Sequence, residues 1–529
     1  MAVFNQPLYL KLSTSVTTVP VAVLPPGPPS SIIFGTPGYP REKAHIFFRE
    51  VSKKYGEIVT VWDGPKLQIV LNSPKVIHDL CVKEWRRQRK IFNSISGPAA
   101  SKNFIPYQYY ETKQYLYELL KAPESFFQAT ERCGASILTS SVYGLRADTL
   151  SDPSALGLIL VGAWLEANIH PTAFIDDRWP ILQKIPNILA PWRHVYKENA
   201  SILDRIAASW WDSAKVNQQK GKLVPCFASK FLTTFQSEGF TKSEAALVSL
   251  GLLIVGSGTT ASIHNMLIAG CVLNPEVVEM AHQELDRVVG PSRLPTLEDE
   301  PNLPYIRAMV KETLRWRPFS NQGLYHASIN DDVYNDYFIP AGTTIVANAY
   351  SVHNDESRWP NPDKFDPSRY IDYKLGALES ANLSDPEQRD HFAYGAGRRI
   401  CAGVSAAEPT LFLLASRMLW GFNIGWAKDK EGNNIPINTM AYAGGVFAKP
   451  EPFAASVTCR SPQHAEIIEQ EFKNAHTDVR SMVDASKAGD MPEMQALVEE
   501  LKVHPNCQAT MTAMSAMVAA AAAGAGPAS

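Results

Sequence analysis

The sequence predicts a mostly α-helical protein with a small β part, arranged as one large domain. Helical patterns bounded by capping residues fill most of the chain, and β-rich runs are confined to two short regions. No Gly/Ser linker or charge block divides residues 31–458. The composition is 45% hydrophobic and 19% charged, below the roughly 25% charged residues of an average soluble chain. These observations favour a single large core over a string of small modules.

The first 30 residues are expected to form a weak N-terminal anchor and a spacer. Residues 1–24 are mildly apolar, but Asn5, Gln6, Lys11 and Pro20 interrupt them, and a spanning helix needs about 20 mainly apolar residues. They do not form a clean signal peptide either. LPPGPPS, residues 24–30, predicts a stiff polyproline-like spacer. A membrane anchor and a cytosolic location therefore both stay open.

The next predicted elements are a β-hairpin and a very long helix. Residues 55–71 hold two β-rich runs around Asp63-Gly64-Pro65, which is a hairpin signal. Thr241 and Glu244 form a capping box that opens a helical pattern ending at Asn274-Pro275. At about 1.5 Å per residue, this helix of about 33 residues would be about 50 Å long. Such a helix can cross a whole domain.

A membrane span is the alternative for this helix. Its apolar run is short, and five polar side chains would make a poor lipid-facing surface: Ser257, Thr259, Thr260, His264 and Asn265. A core helix is therefore favoured.

Shorter elements are predicted after the long helix. One helix begins at Asn274-Pro275 and ends at Gly290, and another begins at Pro304 and ends before Pro318. Residues 333–347 predict strands joined by turns, and a last core helix runs from Gly403 to about residue 420. These elements complete the mostly α pattern.

The C-terminal part has a different character. Residues 461–507 predict short charged helices outside the core, and the Ala/Met/Gly-rich residues 508–529 predict disorder. We therefore expect residues 461–529 to be an atypical, partly disordered extension.

Charge and cysteine content exclude some classes of protein. The net charge is −3, so nothing attracts the chain to nucleic acid. Its 7 cysteines are odd in number and widely spread, with no Cys-x-x-Cys pair or zinc spacing. This pattern indicates a reducing compartment and no disulfide framework.

One cysteine has unusual neighbours. YGAGRRICAG, residues 394–403, surrounds Cys401 with three glycines and two arginines. Glycines let backbone N–H groups turn towards a sulfur, which lowers the pKa of the thiol and stabilises a thiolate. The stretch predicts a cysteine that presents its sulfur as an anion to a bound group.

This loop, and three further motifs in the same order along the chain, resemble those of the cytochrome P450 family. The resemblance covers roughly residues 24–460 and is to haem-thiolate monooxygenases of the fungal microsomal type, including those of secondary metabolism. It implies the cytochrome P450 fold, one catalytic domain over residues 31–460 and a haem b cofactor. Cys401 would be the axial ligand of the iron, because a thiolate favours O–O cleavage.

The resemblance also assigns the residues around Cys401. Arg399 would pair with a haem propionate, and Gly395, Gly397 and Gly403 match the glycines of the haem-binding loop. Tyr394 stands where the family usually has Phe, which predicts slight tuning of the haem potential.

The second motif is Glu312-x-x-Arg315, whose spacing places both side chains on one helical face. The resemblance adds Arg369 and implies a buried charge network with a structural role. Removing one partner would leave a buried charge unpaired, at a cost of about 3–5 kcal/mol.

The third motif is Trp85-x-x-x-Arg89. The resemblance places Arg89 and Trp85 on a haem propionate, and His326 lies where the family often has another propionate ligand. An ordinary histidine without this role is the alternative for His326.

The fourth motif lies in the long helix. Thr259 matches the threonine beside the dioxygen site of the family, with Thr260 next to it. The glycines of this motif, Gly256 and Gly258, would open a groove in the helix. The acid that usually precedes the threonine is absent, and Gly258 stands in its place.

The sequence departs most from the family just before Trp85. The segment that arches over the distal face of the haem is absent, because residues 73–84 run straight into Trp85. An unusually open pocket, a shortened isoform and an error in the gene prediction are the three explanations.

The resemblance implies a monooxygenase that inserts one oxygen atom of O₂ into an apolar small molecule. Electrons would come from NADPH through cytochrome P450 reductase, on the cytosolic face of the endoplasmic reticulum membrane, with peripheral membrane contact. One alternative, motivated by Gly258, is a haem-thiolate isomerase, dehydratase or peroxygenase-like enzyme. The other is a non-catalytic haem or ligand binder that has lost the arch.

Overall fold

The computed structural model describes most of the chain. The described residues are 24–31, 34–40, 43–80, 97–98, 100–169, 174, 179–442, 447–478, 492–508 and 510–512. The predicted mostly α fold with a small β part is confirmed. In chain order, the helices of this part of the chain are α1 (Ala44–Tyr55), α2 (Pro74–Leu80), α3 (Ile105–Lys121), α4 (Phe126–Tyr143), α5 (Pro153–Ile169), α6 (Arg193–Gln219), α7 (Phe227–Thr234), α8 (Lys242–Leu273), α9 (Pro275–Val288), α10 (Pro304–Trp316), α11 (Ala349–His353), α12 (Ala377–Ala381), α13 (Val404–Gly421), α14 (Pro462–Asp478) and α15 (Pro492–Val503).

The strands form three small sheets. They are β1 (Ile58–Asp63), β2 (Lys66–Leu71), β3 (His326–Ala327), β4 (Asp332–Tyr334), β5 (Tyr337–Ile339), β6 (Thr344–Ala347), β7 (Phe422–Trp426) and β8 (Ala455–Cys459). The largest sheet has the order β1-β2-β6-β3, and β4-β5 and β7-β8 are antiparallel pairs. The predicted hairpin is β1-β2, in register from Ile58↔Leu71 to Asp63↔Lys66.

The long helix α8 is the centre of the fold. Its predicted capping box is present: the Glu244 N–H donates to Thr241 Oγ1 at 3.3 Å, and the Thr241 N–H donates to Glu244 Oε2 at 2.9 Å. It packs against α4, α5, α6, α10 and α13. Within the described residues, α8 is the one helix long and apolar enough to cross a membrane, and 56% of its most apolar window is buried. Packing by these five helices makes α8 the core helix that its polar residues predicted.

The proline-rich spacer lies against the hairpin. The Thr60 N–H of β1 donates to the Pro26 carbonyl at 2.9 Å. A Cβ built at Gly27 would lie 2.0 Å from the Thr60 carbonyl oxygen. The glycine therefore permits this close approach.

The C-terminal helices are not outside the core, and this expectation was wrong. Helix α14 packs on α3, and α15 packs on α5 and α6. In α15 the side chains of Met494, Leu497, Val498 and Leu501 are buried. They are spaced as one helical face, so the many charges of the segment hid an apolar stripe. The disorder expected for residues 513–529 concerns a part outside the described residues.

Candidate active site

The loop that carries Cys401 is a tight turn closed by backbone hydrogen bonds. The Cys401 N–H donates to the Tyr394 carbonyl at 2.8 Å, and the Gly395 N–H donates to the Phe392 carbonyl at 2.9 Å. Gly395 has a φ of 78° and Gly397 a φ of 61°, in the left-handed region that favours glycine. The two glycines are thus required by the backbone of the loop.

Cys401 is the one exposed cysteine among the six in the described part of the chain. Burial raises the pKa of the Cys226 and Cys507 thiols to about 11 and that of Cys271 to about 12. These thiols stay protonated at neutral pH and are poor metal ligands. Helix α13 begins at Val404, so Cys401 lies near the positive end of a helix dipole, which favours a thiolate.

Because Gly403 has no side chain, one side of the Cys401 thiol is left uncovered. A Cβ built at Gly403 would lie 3.8 Å from Cys401 Sγ. A larger side chain would extend from that point and begin to cover the sulfur.

Arg399 and His326 lie close enough for the charge of the arginine to act on the imidazole. His326 lies in β3, and its pKa is lowered by burial and by the positive charge of Arg399. An anion beside the two side chains would remove this repulsion. A carboxylate, such as a haem propionate, fits this place.

The middle of α8 presents an apolar face with open space next to it. Val255 is 63% exposed although it lies in the central helix of the fold. A Cβ built at Gly258 would meet nothing within 4 Å. The Thr259 hydroxyl donates to the Val255 carbonyl at 3.1 Å, so its oxygen lone pairs remain to accept a hydrogen bond.

Gly256 does not border open space, so it does not open the groove that the sequence predicts. A Cβ built there would lie 2.8 Å from Leu138 Cδ1, on α4. Gly256 is therefore needed for the packing of α4 on α8, and the expectation that both glycines open a groove is corrected. The Thr260 hydroxyl donates to the Gly256 carbonyl at 3.3 Å, and Thr260 itself is buried.

The described residues fit a haem group. Haem is flat and largely apolar, carries two carboxylates and needs an axial ligand. The exposed thiol of Cys401, the guanidinium of Arg399 with the imidazole of His326, and the apolar face at Val255 offer these three kinds of contact.

Glu312, Arg315 and Arg369 are brought together by the fold. Arg315 donates from Nε to Glu312 Oε2 at 2.7 Å and from Nη2 to Glu312 Oε1 at 2.8 Å, and both side chains are fully buried. Arg369 Nε lies 3.4 Å from Glu312 Oε1. The Asp366 N–H also donates to this oxygen, at 2.9 Å. The network thus joins α10 to the segment that precedes the cysteine loop.

Trp85 and Arg89 lie outside the described residues, as does the junction at which the family's arch is absent. Their predicted contacts with a propionate stay predictions.

Sequence reasoning missed several buried polar groups, of which Arg389 and Tyr394 lie at the cysteine loop. Arg389 is 2% exposed and donates from Nη2 to the Gly395 carbonyl at 2.8 Å. Glu166, on α5, has its pKa raised to about 7 by burial. The Tyr394 hydroxyl is buried without a hydrogen-bond partner. The sequence signal for Arg389 was its proximity to the cysteine loop, whereas Glu166 stood out only as an acid in an apolar helix.

Comparison with known proteins gives consistent matches. The family model described as cytochrome P450 matches residues 25–121 and 80–454. The two matches overlap in the region where the arch is absent from the sequence.

Curated relatives come from fungi. The chain is 36% identical to the cytochrome P450 monooxygenase verL of Clonostachys rogersoniana, over 81% of the chain and 79% of that protein. It is 32% identical to the cytochrome P450 monooxygenase polD of Polytolypa hystricis, over 82% of the chain and 89% of that protein.

Among solved structures, a zebrafish cytochrome P450 with progesterone has a similar fold. The TM-score is 0.60 at 21% sequence identity, with 79% of this chain and 99% of the other covered.

Proposed function

Because the chain belongs to the cytochrome P450 family, we propose that it is a haem-thiolate monooxygenase acting on an apolar small molecule. The observation that carries the proposal is Cys401: an exposed thiol in a glycine loop, beside cationic Arg399. The fungal relatives are themselves named monooxygenases.

Different residues would bind different parts of the cofactor. Cys401 provides the thiolate for the iron, and the N-terminus of α13 helps to keep it deprotonated. Arg399 and His326 bind propionate, and the Glu312–Arg315–Arg369 network fixes the scaffold behind the loop. The haem supplies dioxygen activation when it is bound.

The distal side is formed by α8. Val255 offers an apolar contact to the substrate, which supports an apolar substrate class. The Thr259 hydroxyl donates to the Val255 carbonyl, so it would accept a hydrogen bond from water on this side, and water must bring the protons because Gly258 has no acid. Proton transfer at this position is therefore expected to be inefficient, because it depends on water alone.

Electrons would come from NADPH through cytochrome P450 reductase, at the cytosolic face of the endoplasmic reticulum. Support for these partners comes from the family alone.

A second candidate is a haem-thiolate enzyme that does not activate O₂ with electrons from NADPH, such as an isomerase, a dehydratase or a peroxygenase-like enzyme. It is favoured by Gly258, because a Cβ built there meets nothing and the residue before Thr259 in the chain is not an acid. Such an enzyme receives no electrons from NADPH, so it does not need protons delivered in step with those electrons.

Two measurements test the proposal. A carbon-monoxide difference spectrum of the reduced protein reports the axial ligand, and a thiolate-type spectrum is expected. NADPH-driven product formation with a reductase then separates the monooxygenase from the second candidate. A protein that binds haem with a thiolate but turns over only without NADPH supports the second candidate, and one that never turns over is a binder.

A further inference from the structure

A buried arginine behind the cysteine loop lacks a counter-charge. Arg389 is 2% exposed, and its guanidinium lies 4.0 Å from the ring centre of Phe392. Its Nη2 donates to the Gly395 carbonyl, whereas Nε and Nη1 have no hydrogen-bond partner. Burial lowers its pKa to about 10, so it stays charged at neutral pH. A buried charge of this kind is costly unless something compensates it.

The nearby carboxylate is occupied by other donors. Asp390 accepts from Lys311 Nζ at 2.6 Å and from Ser380 Oγ at 2.7 Å. In the described part of the chain, no carboxylate lies within ion-pair distance of Arg389. His391 adds no charge, because burial lowers its pKa to about 4.

The neighbouring cation does not change this balance. Arg358 donates to the Arg389 carbonyl, and its own charge lies 3.9 Å from Glu387. Lys311 with Asp390 and Arg358 with Glu387 are thus two neutral pairs. Arg389 remains as one net positive charge.

Arg389 acts directly on the geometry of the loop. Gly395 follows Tyr394, whose carbonyl accepts from the Cys401 N–H at 2.8 Å. The hydrogen bond from Arg389 holds the Gly395 carbonyl, in a peptide with a left-handed φ of 78°. Arg389 and the Cys401 N–H therefore bind the two peptide units that flank Gly395.

We propose that Arg389 is a positioning residue that holds the cysteine loop and places a buried positive charge behind it. The proposal rests on the proposed function, in which Cys401 ligates haem. A fixed positive charge stabilises the state with one more electron, so Arg389 raises the reduction potential of the haem.

The size of the effect follows from electrostatics. A unit charge at roughly 10 Å in an effective dielectric of about 20 changes an equilibrium about tenfold. For a one-electron couple, a tenfold change corresponds to about 59 mV.

The experiment compares four variants of the haem-loaded protein by spectroelectrochemical titration. Arg389→Met removes the charge and the hydrogen bond, Arg389→Gln keeps a donor without charge, and Arg389→Lys keeps the charge. Arg417→Met is the matched control: Arg417 is 1% exposed and hydrogen bonds to the Pro295 and Tyr109 carbonyls and to the Thr112 hydroxyl. It lies 13 residues after Val404, the first residue of α13, or about 20 Å along that helix.

We expect the potential of the Met and Gln variants to fall by about 59 mV. Lys should keep most of the potential, and Arg417→Met should change it little. An unchanged potential in a Met or Gln variant with a thiolate spectrum overturns the proposal, as does an equal fall in Arg417→Met.

Failure to bind haem is also decisive. If Arg389→Lys, Gln and Met all lose haem, Arg389 is purely structural and the tuning proposal is overturned. If the unmodified protein gives no thiolate spectrum, the proposed function fails. The spectrum is recorded before the redox titration, so this failure is distinguished from a failure of the Arg389 proposal.

Discussion

At the scale of single residues, the environment of each group decides its chemistry more than its type does. Cys401 differs from Cys271 in exposure and in the glycine turn around it, not in its thiol. Glu166 differs from an ordinary glutamate because burial raises its pKa to about 7, although the charge of Lys449 and a hydrogen bond from the Phe447 N–H oppose the shift. The two residues give one prediction each.

Replacing Cys401 by His should abolish the thiolate-type carbon-monoxide spectrum. Imidazole is a neutral ligand, so the variant should lose haem or give an imidazole-type spectrum without oxygenase activity. Cys226→Ala is the control, since its thiol is only half-buried and stays protonated, and it should keep the spectrum. An unchanged thiolate spectrum in Cys401→His would disprove the ligand assignment.

Glu166→Gln should stabilise the protein at pH 8 more than at pH 5. The folded pKa of about 7 lies above the ordinary 4.5, so the native state binds a proton that the unfolded state has lost between these values. Glu166 therefore contributes stability at low pH that is lost as pH rises through 7, by about 1–3 kcal/mol. Thermal unfolding at both pH values measures the difference.

Glu198→Gln, an exposed acid on α6, is the control and should show the same difference at pH 5 and pH 8. A pH-independent effect of Glu166→Gln would show that its pKa is not raised.

At the scale of elements, two glycines of the long helix α8 have different roles. One permits the close packing of a neighbouring helix, and the other borders the candidate site. Gly256 lies against Leu138 of α4, whereas Gly258 adjoins open space. The helix is continuous from Lys242 to Leu273, so the motif does not require a break in its hydrogen bonds. The two positions should therefore respond oppositely to the same substitution.

Gly256→Ala should destabilise the protein and Gly258→Ala should stabilise it. The added methyl group of the first would approach Leu138 to 2.8 Å and cost about 1–3 kcal/mol by overpacking. The methyl group added by Gly258→Ala has no neighbouring atom to clash with, and alanine should stabilise the helix by about 1 kcal/mol through its higher helix propensity. Chemical denaturation of the two variants measures both signs, and a loss of stability in both would contradict the assignment of open space.

Gly258→Asp should increase the product formed per NADPH. It places a titratable group one residue before Thr259, in space that the structure leaves open. Gly258→Asn is the control of equal size without a proton to give. If Asn improves coupling as much as Asp does, proton delivery is not the cause; tight coupling in the unmodified protein would indicate another proton path.

At the scale of the whole molecule, the C-terminal extension is part of the fold. Helix α15 adds Met494, Leu497, Val498 and Leu501 to the buried cluster formed by α5, α6 and α8. Arg205 of α6 also forms a two-fold ion pair with Glu500, at 2.9 and 2.7 Å. The exposed ion pair contributes little, so apolar burial dominates this contact.

Leu501→Ala should lower the free energy of unfolding by about 2–5 kcal/mol, because the side chain is 1% exposed. Gln495→Ala, on the exposed face of the same helix, should change it by less than about 0.5 kcal/mol. Equal effects of the two variants, by chemical denaturation, would mean that α15 does not dock on α5.

The sequence by itself determined what depends on neighbouring residues. The capping box of α8, the β1-β2 hairpin and the left-handed glycines beside Cys401 are local signals, because hydrogen bonds and backbone angles act over a few positions. The family resemblance likewise rested on short motifs, namely the cysteine loop and those at Glu312, Trp85 and Thr259. Only the tertiary structure decided the positions that depend on distant contacts.

Arg389 and the apolar stripe of α15 are examples. Nothing next to Arg389 in the chain shows that Lys311 takes the Asp390 carboxylate and leaves the guanidinium without an anion. The stripe was hidden by charges until α5 and α6 provided a surface to cover it. Burial and charge balance are properties of the packed molecule, since they depend on which groups are excluded from water together.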